Sequence, residues 1–99
     1  MPEAYAEFDW DEANLGKCHR HGITAAEIED LLRANPRIAP DPKHSATEQR
    51  FIAVGRNAAG RPVFVAFTTR RIAGRLLVRP ISARYMHAKE IARYEAESS

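Results

Sequence analysis

One cysteine, Cys18, is all the thiol in 99 residues. No internal disulfide can form, which fits a reducing compartment. No stretch approaches the roughly 20 consecutive apolar residues of a membrane span. Met1 to Asp11 carries Glu3, Glu7 and Asp9 and lacks the cationic end and apolar run of a secretory leader. These absences predict a soluble, cytoplasmic chain with no membrane partner. Cys18-His19-Arg20-His21 resembles half of a zinc box, but there is no second Cys/His pair, and His44 and His87 stand alone. The pattern does not make a four-ligand zinc site, and no metal is expected. The few glycines have neither P-loop nor dinucleotide spacing, and no Gly-x-Ser-x-Gly elbow occurs, so no nucleotide cofactor or acyl chemistry is expected. The length suffices for one core but not two, so residues 1–99 are read as a single domain.

What the chain does have is a divided charge. The net value is only +2, yet residues 1–48 hold ten acids against five cations, and residues 49–93 hold ten cations against the single acid Glu90. Nine of those ten cations are arginine. The guanidinium fork matches phosphate oxygens two at a time, so an arginine-rich half favours an anionic partner such as RNA. An ordinary solvated basic surface is the plainer alternative.

Local patterns predict the elements. Tyr5 to Trp10 alternates as a short strand. Asp9 or Asp11 can cap a first helix to about His19 or Arg20, which Gly22 stops. Thr24-Ala25-Ala26-Glu27 is a capping box, and Ile28, Leu31 and Leu32 follow at helical spacing until Asn35-Pro36. Arg37 to Gln49 reads as a loop with one short edge strand. Arg50 to Gly55, Pro62 to Thr68 and Leu76 to Ser82 read as strands, joined by turns at Asn57–Gly60 and Arg70–Gly74. A last helix runs from about Met86 to Glu97. The fold class is therefore α+β, an antiparallel sheet of three or four strands with two N-terminal helices and one C-terminal helix. The strand from Pro62 is apolar on both faces, so both need covering by helices or a partner.

Arg79-Pro80-Ile81-Ser82-Ala83-Arg84 ends the last strand with two arginines. Five positions apart, they lie on opposite faces of a regular strand. A bulge at Pro80, which also lacks an amide donor, would bring them to one side, where Arg56 of the neighbouring strand can join either. Cleaving RNA without a metal needs a base, an acid and cationic stabilisation of the phosphorane. His21 is a single imidazole just before Gly22, and from the sequence alone pairing with the helix dipole is its simpler role. Arg84 can contact an anion or pair with an acid of the last helix. Glu90 and Tyr94, one helical turn apart, read as a buttress for an arginine and a ring packed on the sheet.

Taken together, Phe8-Asp9-Trp10-Asp11, Asn14, Lys17, His21-Gly22-Ile23-Thr24, Arg50 to Arg56, and Arg79 to Arg84 with Glu90 and Tyr94 resemble the BrnT family, toxins of bacterial type II toxin–antitoxin pairs. The resemblance spans about residues 8 to 94. It implies a fold like that of RelE-type RNases and RNA cleavage that inhibits translation. It also implies a BrnA-like antitoxin partner, through which alone DNA is contacted, in a homo- or hetero-oligomer. Carried onto this chain, it implies catalytic roles for His21, Lys17, Arg84, Arg79 and Arg56, with His87 a weaker candidate. Substrate contacts would come from Arg50, Ser82 and Asn14. A non-catalytic module that binds nucleic acid or a partner through the same basic face is the rival reading.

Overall fold

The computed structural model describes residues 7–41 and 48–98. In chain order its elements are α1 (Glu12–His19), α2 (Ala25–Arg33), β1 (Arg37–Pro40), β2 (Arg50–Arg56), β3 (Pro62–Ile72), β4 (Arg75–Tyr85) and α3 (Ala88–Ser98). The strands form one antiparallel sheet in the order β1-β2-β3-β4. The α+β arrangement, with two helices before the sheet and one after it, is the one the sequence predicts.

Both N-terminal helices begin on capping boxes. Asp11 accepts the Asn14 amide at 3.2 Å and Asn14 Oδ1 accepts the Asp11 amide at 2.7 Å, so two orphan donors of α1 are satisfied reciprocally. Thr24 and Glu27 do the same for α2 at 3.1 and 3.0 Å. Each helix is then stopped by a left-handed residue, Gly22 (φ 80°) after α1 and Asn35 (φ 55°) after α2.

The ladder corrects two predicted boundaries. Arg70, Arg71 and Ile72 are not turn residues; they pair with Leu77, Leu76 and Arg75, and the reversal is the two residues Ala73-Gly74, both at positive φ. Polar side chains on exposed rungs of a hairpin carry the same sequence signal as a loop, which is why the turn reads too long. Among the described residues, the predicted first strand is one parallel bridge, Phe8 against Val78, with Val78 donating to Glu7 O at 3.0 Å and Asp9 donating to Val78 O at 2.8 Å. Tyr5 and Ala6 of that strand, and Pro42, His44 and Ser45 of the predicted loop, lie outside the described residues.

One face of the sheet, called inner here, holds Ala53, Val63, Val65, Phe67, Val78 and Ala83 against Cys18, Ile23, Ile28, Leu31 and Leu32. Each large aliphatic side chain removed from water there contributes on the order of 1.5–3 kcal/mol. Gly55 lets α2 approach β2: a Cβ at that position would stand 3.2 Å from Leu31 Cγ. Trp10 packs at the edge of this core and its Nε1 donates to Glu29 of α2 at 2.8 Å.

The opposite, outer face carries Ile52, Val54, Phe64 and Ala66. Its geometry turns on Pro80. Ala66 pairs with Ser82 but Phe67 pairs with Pro80, so Ile81 is an extra residue and β4 is bulged there. Without it, Arg79 and Arg84 would sit on opposite faces. With it, Arg79 opposes Thr68 and Arg84 opposes Phe64, and Thr68 and Phe64 share a face of β3.

Candidate functional site

A cleft of about 280 Å³ opens where the end of α1 meets the outer face, lined by Lys17, Arg20, His21, Ile52, Phe64, Ala66, Ser82, Ala83 and Arg84. The α1 helix packs against β4, and burial of Cys18 fixes its rotation. Lys17 lies one residue before Cys18, and Arg20 and His21 follow in the turn that Gly22 closes. Neither Lys17 nor Arg20 has a carboxylate partner among the described residues, and no acid lines the cleft. The floor is apolar and the rim is cationic.

Arg84 forms one wall. Its Nη1 and Nη2 donate to the two carboxylate oxygens of Glu90 at 2.9 Å each, and its guanidinium lies 4.5 Å from the centre of the Phe64 ring. Glu90 also accepts the His87 amide at 2.8 Å, which caps α3. The Arg84 fork, followed by that amide, holds the Glu90 carboxyl at a pKa of about 2, down from the usual 4.5. His87 itself is largely exposed, its Nδ1 3.6 Å from Glu90.

A second, smaller cleft of about 150 Å³ adjoins the first and shares Lys17 with it; Ala13, Asn14, Glu48, Arg50, Arg79 and Ile81 complete it. Arg79 faces two carboxylates. Its Nη2 is 3.0 Å from Asp11, and its Nη1 lies 3.4 Å from Asp9 without an aligned hydrogen bond. The Asn14 amide, followed by Arg79, draws the Asp11 carboxyl below its ordinary pKa. Asn14 is 3 % exposed, and its amide donates to Asp9 O at 2.9 Å and to Pro80 O at 2.8 Å. It fastens α1 to the bulge.

The sequence model of one protein family, described as the ribonuclease toxin BrnT of type II toxin–antitoxin systems, matches residues 10–90. The chain belongs to the BrnT family. No curated protein matches it.

Within this BrnT chain the candidate residues separate into three places. Lys17, His21, Ser82 and Arg84 share the cationic cleft. Arg50, Arg79 and Asn14 line the neighbouring one. Arg56 stands apart, donating to Gly60 O at 2.9 Å and to Glu95 at 3.0 Å at the far end of β2. Arg20 lines the cleft but is missed by the sequence reading. Its signal is visible in hindsight, since a cation three residues after Lys17 and next to His21 shares the helix end with both. The Cys18 thiol cannot serve as a nucleophile there, because burial pushes its pKa up to about 11. Among the described residues no group of three or more His, Cys, Asp and Glu could hold a metal ion, and no helix is long and apolar enough to cross a membrane.

Proposed function

We propose that this chain is a metal-independent endoribonuclease that inhibits translation, and that RNA is cut in the cleft of Lys17, Arg20, His21, Ser82 and Arg84. The observation that carries the reading is the uncancelled charge at the end of α1, where Lys17, Arg20 and His21 face Ser82 across a floor without carboxylates. Lys17 and Arg20 bind the scissile phosphate and hold the charge that develops on the phosphorane. His21 supplies the side-chain type suited to moving a proton to or from the 2′-hydroxyl or the leaving 5′-oxygen. Ser82 offers a hydroxyl to a phosphate oxygen. A cationic rim with no acid repels a divalent cation, which wants several oxygen ligands, and this supports chemistry without a metal.

Membership of a toxin–antitoxin family supports a protein antitoxin of BrnA type as the partner, with DNA reached only through that complex. Together, RNA and the antitoxin put the work in the cytoplasm. A second reading, a module that binds without cutting, is favoured by one observation: Arg79 and Arg84 both face carboxylates.

The test is inducible expression with and without the adjacent gene, scored for growth and RNA integrity. The purified protein is then assayed on RNA with and without a chelator. The proposal expects growth arrest and RNA fragmentation, relief by the neighbour, no effect of chelation, and loss of cleavage in Lys17→Ala and His21→Ala variants that still fold. Binding without cleavage supports the second reading.

A further inference from the structure

Charge, rather than burial, holds α3 to the sheet. None of its described side chains joins the buried core. A cleft of about 360 Å³ lies between the helix and the outer face, lined by Ile52, Val54 and Phe64 on one side and Tyr94 on the other. Three of its carboxylates reach three different strands: Glu90 pairs with Arg84 of β4 at 2.9 Å, Glu95 with Arg56 of β2 at 3.0 Å, and Glu97 with Arg37 of β1 at 2.9 Å. Tyr94 lies between the last two arginines, 5.1 Å from Arg37 and 5.5 Å from Arg56. The Arg37 and Arg56 side chains are each 42 % exposed, so these outer pairs are weak and readily broken.

The Arg84–Glu90 pair stands between the two clefts, Arg84 lining the cationic one and Glu90 the one beneath α3. A carboxylate and a phosphate make the same bidentate contact with a guanidinium, so they compete for one seat. From this geometry we infer that α3 is a self-inhibitory strap: Glu90 fills the anion seat of Arg84 in the free protein, and an RNA phosphate takes that seat as the helix leaves the outer face. The inference rests on the proposal that the cationic cleft binds RNA.

A strap lowers apparent affinity by the fraction of molecules in which it is open. Removing its grip therefore tightens binding without adding a contact. The full-length protein is titrated with a short single-stranded RNA whose 2′-oxygens are methylated, which blocks cleavage, and binding is read by fluorescence anisotropy. Hydrogen exchange of the α3 amides is followed with and without this RNA. Glu90→Gln is expected to tighten binding about three- to tenfold. A Glu95→Gln/Glu97→Gln double variant, which leaves the Arg84 contact intact, is expected to tighten it as well. RNA is expected to speed α3 exchange in the wild type. If Glu90 merely orients Arg84, Glu90→Gln weakens binding, the double variant changes nothing, and α3 exchange is insensitive to RNA; any of these overturns the strap while leaving the RNA site standing. If neither the wild type nor any variant binds, the RNA site fails and the strap falls with it. Binding by Glu90→Gln alone supports both.

Discussion

Replacing Asn14 by alanine separates a structural role from a substrate contact. The side chain makes three hydrogen bonds to main-chain groups, donating to Asp9 O at 2.9 Å and Pro80 O at 2.8 Å and accepting the Asp11 amide at 2.7 Å. Each is worth on the order of 1 kcal/mol net, and stranding a buried carbonyl costs on the order of 1–3 kcal/mol. The Pro80 carbonyl belongs to the bulge, where the strand ladder offers it no regular partner. Half of the α1 capping box goes too. Asn14→Ala should therefore destabilise the fold by about 2–4 kcal/mol, a large share of the roughly 5–15 kcal/mol that holds a domain together. For a chain of this length that lowers Tm by about 10–20 °C, readable by circular dichroism. Asn14→Asp keeps the cap acceptor but loses both donors and should fall between the two. RNA binding, measured at a temperature where the variant is still folded, should change little. An unchanged Tm with abolished RNA binding would refute the reasoning and return Asn14 to the substrate.

Three further outcomes follow from other parts of the molecule. Because the Glu90 carboxyl is held at about 2 rather than 4.5, its stabilising contribution is complete above the usual carboxylate range and lost as pH falls through about 2. Screening of a partly exposed pair reduces that contribution to about 1 kcal/mol, so acid titration between those values should loosen α3 before the sheet, seen as early exchange of its amides. Gly55→Val would suit a strand by propensity, yet its side chain would press on Leu31; a loss of about 1–3 kcal/mol in urea unfolding is expected, and a gain would show that the helix–sheet contact has slack. Arg20→Ala should weaken RNA binding and flatten its dependence on log salt by about 0.7, the value for one single-strand phosphate contact, whereas Arg56→Ala should leave that slope unchanged.

Elements were legible in the sequence wherever a local rule decides them. Thr24 and Glu27 announce α2 because a capping box is a short-range device, and Pro80 announces the bulge because proline has no donor for the ladder. The site was legible by residue type and less so by partner. That Arg84 pairs with an acid of the last helix was open to the sequence as one alternative, though not which acid, and nothing local says that Arg79 faces Asp9 and Asp11, some seventy residues earlier in the chain. The split between an acidic first half and a basic second half looks, in one dimension, like a free cationic surface. Folding lays Glu7, Asp9 and Asp11 along the β4 arginines, with Arg75 on Glu7 and Arg79 on the other two. Arg56 was grouped with the others because neighbouring strands bring residues together, but its place at the end of β2 next to the Gly60 turn points it toward Glu95.

That pairing makes the chain its own salt. Carboxylates from both ends neutralise sheet arginines much as small ions would, but they are tethered and cannot be diluted away. A phosphate arriving at such an arginine still sheds its own condensed cations, but it must first displace a fixed carboxylate of the protein. The net gain is therefore smaller at the paired arginines than at Lys17 and Arg20, which have no carboxylate partner among the described residues. A protein this rich in arginine should consequently bind bulk nucleic acid more weakly than its charge suggests, with Lys17 and Arg20 among the cations left open.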